Sequence, residues 1–156
     1  MGSLHPLTGT VGLILSSLIL WDAFETVVLP RRVARRLRLT RLYFLVVWRI
    51  WAVVAGGLRN PRRRESFLGL FGPLALVLLL GTWAAGLVLG FAMLQWGLGL
   101  RVAAPEAAPG FGTALYLSGS TLFTLGLGDI APLSAPARAV TVVEAFVGFA
   151  FLALTI

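Results

Sequence analysis

The 156-residue sequence has no cysteine, no lysine and a single histidine, His5. Without thiols there are no disulfides, no thiolate metal sites and no cysteine nucleophiles. One histidine and no clustered acids leave no general-base constellation, so an enzyme is not expected. His5 itself reads as a solvated terminal side chain. Charge is also scarce: 12% of the residues are charged, against roughly 25% in an ordinary soluble domain. Residues 1–6 carry no Arg or Lys, and no A-x-A cleavage site follows the first apolar run. That run therefore reads as structure, not as a secretory leader. Pro6 stands where a myristoylation signal needs Ser or Thr.

What the chain has in excess is apolar surface. It is 58% hydrophobic, with a mean hydropathy of +0.93. A chain this short cannot hide so much in one water-facing core. The expectation is an integral membrane protein. All 13 basic residues are arginine, and 11 of them fall between Arg31 and Arg64. Arginine this close to apolar spans marks a cytoplasmic flank and meets anionic lipid headgroups. The block carries no nucleic-acid-binding motif, so no nucleic-acid partner is expected.

The first segment, residues 1–30, holds a transmembrane helix from Leu7 to Leu29. Its 23 residues would reach about 34 Å, enough for a hydrocarbon core of about 30 Å. Asp22 and Glu25 share one helical face near its inner end, where they are expected to meet arginines of the next segment. A buried acid pair sensing voltage or pH is the alternative. Residues 31–66 are Arg-rich. Arg31, Arg32, Arg35, Arg36, Arg38 and Arg41 precede the apolar run 43–58, and Arg59, Arg62, Arg63 and Arg64 follow it. If that run crossed the membrane, one basic block would face outward, against the positive-inside tendency. An interfacial helix with Trp48 and Trp51 at headgroup depth and snorkelling arginines is preferred over a further span. Arg49 alone makes a poor voltage sensor.

Two further spans are expected, an outer helix over 67–98 and an inner helix over 137–156. Pro73 lies in the early turns of the first, Gly86 and Gly90 permit close packing, and Gln95 and Trp96 suggest its far interface. Trp21, Trp83 and Trp96 read as belt or packing residues. The last span ends without a polar flank, as though the chain should continue. Between the two lies FGTALYLSGSTLFTLGLGDIAPLSAP, residues 111–136. It is too poor in apolar residues to cross twice as helices. Residues 112–123 are helix-like, residues 124–129 are punctuated by glycine, and Pro132 follows. Irregular backbone at membrane depth survives only when buried in protein or lining water. A re-entrant helix with an extended loop, folded into an assembly, follows.

Thr124-Leu125-Gly126-Leu127-Gly128-Asp129 resembles the selectivity filter of the potassium channel family, whose common form is TVGYGD. Ser118, Thr121 and Thr124 match hydroxyl positions of that family's pore helix and filter entrance, and Pro132 matches a proline just past the filter. Glu144-Ala145-Phe146-Val147-Gly148 looks like the inner helix of prokaryotic inward-rectifier channels, with Gly148 at the place of a hinge glycine. The resemblance covers residues 67–156. It implies an all-α membrane fold of outer helix, pore helix, filter and inner helix over those residues. The apolar and Arg-rich segments before them add an extra transmembrane helix and an Arg-rich interfacial helix, the latter with a parallel in the inward-rectifier channels. It implies a multi-pass protein of a prokaryotic cell (plasma or inner) membrane.

The chemistry follows from the residue types. A dehydrated cation needs oxygens in place of its water shell. Carbonyls of Thr124, Leu125, Gly126 and Leu127, with the Thr124 hydroxyl, would ligate potassium ions, the only cofactor-like species expected. Gly126 and Gly128 would take the left-handed conformations that aim those carbonyls. Asp129 would sit at the filter mouth. Ser118, Ser120, Thr121 and Glu144 would support the filter. Glu144 is expected to bond pore-helix hydroxyls such as Ser120 or Thr121, or to act as a pH- or cation-sensitive group. Gly148, Phe149, Leu152 and Ile156 would line the cavity or gate, with ordinary packing as the alternative. One loop per chain cannot encircle an ion, so a homotetramer is expected.

This sequence departs from the family's pattern at four places. Leu127 replaces the usual Tyr, as some two-pore-domain channels tolerate. Leu117 stands where an aromatic often supports that Tyr. Phe123 stands for Thr, and Ser120 for a buried Glu. A weakly selective sodium and potassium channel is one alternative. A non-conducting module that binds anionic lipid through its arginines is another.

Overall fold

The computed structural model describes residues 4–27, 39–57, 60–99, 102–103 and 110–155. Arg31, Arg32, Arg35, Arg36, Arg38, Arg59, Pro105, Pro109 and Ile156 lie outside the described residues, as do the side chains of His5 and Arg41. In chain order the elements are α1 (Leu4–Val27), α2 (Leu39–Gly56), α3 (Pro61–Gly69), α4 (Phe71–Gly97), β1 (Val102–Ala103), α5 (Phe111–Leu122), β2 (Ala131–Pro132) and α6 (Ala135–Thr155). Three of the helices are long and apolar enough to cross a membrane: Pro6–Val27, Phe71–Gly97 and Ala135–Ala153. The fold is an all-α membrane protein. The outer helix α4 begins at Phe71, where the sequence suggested residue 67, because the one-turn-longer stretch is taken by the separate helix α3.

The chain divides into two compact units, one running to Trp21 and resuming at Ala84, the other spanning Asp22–Trp83. In the first, α1 lies antiparallel along α4. Gly9 packs on Gly97, Gly12 on Gly90 and Leu94, and Ile19 on Gly86. A methyl group on Gly12 would stand 2.6 Å from the Leu94 amide nitrogen, and one on Gly90 would meet the Ser16 hydroxyl. Small residues let the two backbones close up, and the gain is dispersion contact along the whole seam. The Gly86–Gly90 pair noted in the sequence is therefore the seat of α1.

The same unit wedges α5 between α4 and α6. Its buried face carries Thr113, Ala114, Leu117, Ser118 and Leu122, positions that recur on one side of a helix. Leu87, Phe91 and Ala92 of α4 complete the core. Trp96 meets Phe111 edge-on at 6.5 Å. β1 and β2 form an antiparallel pair, with Val102 opposite Pro132 and Ala103 opposite Ala131.

In the second unit, α2 runs antiparallel to α3 and the start of α4. Trp51 stacks flat on Phe67 at 4.2 Å and its indole N–H donates to the Phe67 carbonyl at 3.1 Å. Trp48 packs edge-on against Phe71 at 4.8 Å. The Tyr43 hydroxyl donates to the Ala75 carbonyl at 3.3 Å. The two tryptophans thus serve as helix-packing residues. Asn60 caps α3, accepting from the Arg62 amide, with Pro61 in the first turn. Asp22 is buried and accepts from the Trp83 indole N–H at 3.0 Å. Trp83, expected only as a belt or packing residue, is therefore a hydrogen-bond donor to a buried acid.

Candidate functional site

The site begins where α5 ends. The Phe123 amide donates to the Gly119 carbonyl at 3.1 Å and the Thr124 amide to the Thr121 carbonyl at 3.0 Å. The Leu125 and Gly126 amides then both turn back to the Ser120 carbonyl, at 2.8 and 3.4 Å. These bonds satisfy the last carbonyls of the helix. They also tie the amides of the loop to the helix end. Among the described residues, no hydrogen bond reaches the carbonyl oxygens of Thr124, Leu125, Gly126 or Leu127.

Every second residue of this loop sits in the left-handed region: Thr124 at φ 55°, Gly126 at 57° and Gly128 at 77°. Glycine enters that region freely, which accounts for Gly126 and Gly128. Thr124 is β-branched, and holding it there costs about 1–3 kcal/mol. It is the only non-glycine residue with positive φ among the described residues. The sequence foretold the two glycines; the Thr124 strain had no signal in it. The whole stretch from Phe123 to Asp129 is exposed in the single chain, including the Leu125 and Leu127 side chains.

Asp129 at the end of the loop is hydrogen-bonded to Tyr116 on α5. That bond, with slight desolvation and the carboxylate's charge, raises the Tyr116 phenol above its ordinary value of 10.0. The sequence reading had no role for Tyr116. Its signal was a lone tyrosine one helical turn below the pore-helix start. Arg138 turns its Nε to the Pro132 carbonyl at 3.3 Å, pinning the segment beyond the loop.

Behind α5 lies a buried polar cluster drawn from three helices. Glu144 of α6 and Ser118 of α5 are fully buried, and Gln95 of α4 is 3% exposed. The Gln95 Nε2 donates to Glu144 Oε2 at 2.7 Å. Ser118 Oγ touches both the Val88 carbonyl oxygen, at 2.9 Å, and Glu144 Oε1. Glu144 therefore meets Ser118, where Ser120 or Thr121 was expected. Ser120 turns to the Leu117 carbonyl at 3.0 Å instead. The reason is register: Ser118 lies on the buried face of α5 and Ser120 does not. Gln95, expected near an interface, is part of the same cluster.

Gly148 packs directly on the end of α5: a methyl group there would stand 2.9 Å from the Leu122 carbonyl carbon. Phe149 and Leu152 are exposed on the single chain, and Ile156 lies outside the described residues. Among the described residues no group of three His, Cys, Asp or Glu side chains converges as a metal site. The oxygens the loop exposes are its backbone carbonyls, the Thr124 hydroxyl and the Asp129 carboxyl.

Two full spans flanking a short helix and a returning loop define a membrane-embedded helix–loop–helix module, the class of structure that lines ion pathways. A family described as ion channel matches residues 75–156, more than half of the chain, and the chain belongs to that ion channel family. No curated protein and no solved structure matches it. Its activity is passive movement of ions across a membrane.

Proposed function

We propose that this chain is one subunit of a homotetrameric potassium channel. The observation that carries the reading is the alternation of left-handed residues at Thr124, Gly126 and Gly128. Alternate residues of opposite hand flip successive peptides, so that neighbouring carbonyls can turn to one side. Four such strands around an axis would stack rings of carbonyl oxygens from Thr124, Leu125, Gly126 and Leu127, and these would replace the hydration shell of potassium. Asp129 would hold negative charge at the mouth. The exposed Leu125 and Leu127 side chains would pack where neighbouring subunits meet. Phe149 and Leu152 would face the cavity, where apolar constrictions can gate by dewetting.

The Arg31–Arg64 segment would lie on the cytoplasmic face of a prokaryotic cell membrane, against anionic lipid. The amino-terminal end of α1, which packs beside the end of α4 at Gly97, would then face outward. Covalent turnover plays no part in this function.

The deciding experiment is reconstitution of the full chain in liposomes, with potassium and sodium flux measured in parallel. Potassium flux well above sodium flux supports the proposal. Equal fluxes would favour the weakly selective channel, to which Leu127 points because it lacks the phenol of the usual Tyr. No flux at all, with retained binding to anionic vesicles, would favour the lipid-binding module. A stable dimer by cross-linking would remove the tetramer.

A further inference from the structure

We infer that Glu144 is a neutral, protonated acid that donates its hydrogen to Ser118 Oγ, and that this hydrogen positions α5 behind the loop. The argument is a count of hydrogens. Val88 O, Ser118 Oγ and Glu144 Oε1 form a row of three oxygens with two contacts between them. Each contact needs a hydrogen. A carbonyl has none to give and a serine hydroxyl has one. The Ser118 hydrogen goes to Val88 O, 2.9 Å away. The other must come from Glu144. On its far side, Glu144 Oε2 accepts from Gln95. In this state both Glu144 oxygens and the Ser118 hydroxyl have partners and no charge is buried.

The surroundings agree. Glu144 and Ser118 are fully buried, and an unpaired carboxylate at membrane depth is costly. Among the described residues, α4 presents Gln95 to Glu144 and α5 presents Ser118, neither ionisable. α1 has no ionisable side chain between Pro6 and Trp21. On α6, Arg138 lies six residues earlier and holds the Pro132 carbonyl. Among the described residues no cation faces Glu144 to hold it as an anion. Removing the proton would leave Ser118 with one hydrogen and two acceptors, and α5 would lose its tie to either α4 or α6. Glu144 is thus a positioning residue, and conduction should fail when alkali strips its proton. The conduction part rests on the channel reading above; the proton assignment does not.

The test uses the full chain in liposomes. Infrared spectra at neutral pH should show the carbonyl stretch of a protonated carboxyl that disappears in Glu144→Gln. In Ser118→Ala the same band should persist and move to higher frequency, because its hydrogen-bond acceptor is gone. Wild-type potassium flux should be flat from acid to neutral pH and lost in alkali. Glu144→Gln should conduct without that loss, since its amide N–H can reach Ser118 while its oxygen accepts from Gln95. A wild-type spectrum without the band, or an alkaline loss identical in Glu144→Gln, overturns the inference. A band that behaves as expected in a chain passing no ions would overturn the channel reading and leave the proton assignment standing.

Discussion

Gly148 and Leu122 touch backbone to backbone. A methyl group on Gly148 would stand 2.9 Å from the Leu122 carbonyl carbon and 3.0 Å from its Cα. The inner helix therefore rests on the last turn of α5, at the point where the chain leaves the helix for the loop. Gly148→Ala should push the two apart and cost about 1–3 kcal/mol, the usual penalty of overpacking. A thermal unfolding curve in detergent should show the loss, and flux should drop with it. Unchanged stability would mean that α6 can slide freely past Leu122.

Gly126→Ala meets no neighbour within 4 Å, so its effect is one of backbone alone. At φ 57° an L-side chain costs about 1–2 kcal/mol. The variant should lose ion flux while its helical circular dichroism stays intact. Gly112 is the control. It lies inside α5, also has nothing within 4 Å, and has no positive φ. Gly112→Ala should be neutral or stabilising by about 0.5–1 kcal/mol. Equal outcomes at the two positions would refute the conformational role of Gly126.

Tyr116 offers a titration. The Asp129 hydrogen bond raises its pKa above 10.0 in the folded chain. The folded form thus keeps its phenol proton at a pH where the unfolded form sheds it. The stabilisation is complete below the unfolded value and is lost as pH rises through the folded one. Asp129→Asn should bring the phenol back down toward about 10. Only Tyr43 and Tyr116 absorb as tyrosine, so in a Tyr43→Phe background the ultraviolet titration reports Tyr116 alone. Identical titrations with and without Asp129 would dismiss the contact.

Trp83→Phe keeps an aromatic ring near Asp22 but shrinks it and removes the indole donor. Loss of a hydrogen bond to a buried acceptor costs about 1–3 kcal/mol. The melting temperature should fall, and Asp22→Asn in the same background should recover part of it, because the amide is cheaper to bury than the carboxylate. A Trp83→Phe chain as stable as the wild type would show that the 3.0 Å contact contributes little.

The elements were legible because they are local. Residues 112–123 read as a helix from their own pattern, and α5 runs Phe111–Leu122. The glycines of the loop announced left-handed backbone, and Gly126 and Gly128 adopt it. What the sequence hid is what distant segments do to each other. Gln95 and Glu144 are 49 residues apart, and a glutamine near the end of an apolar run looks like an interfacial residue until α6 is laid beside it. The choice of Ser118 over Ser120 depends on which face of α5 is buried, and two serines two residues apart cannot reveal that alone. Gly86 and Gly90 advertised a close neighbour without naming it. The partner, α1, is the segment least connected to the family's pattern. Thr124 was chosen for its hydroxyl, and its strained backbone became visible only in the structure.

Val102 and Ala103 are paired with Pro132 and Ala131 across nearly thirty residues of intervening chain. The short ladder works as a clasp. A shift of Val102 and Ala103 is therefore shared with Ala131 and Pro132, which begin two residues beyond Asp129.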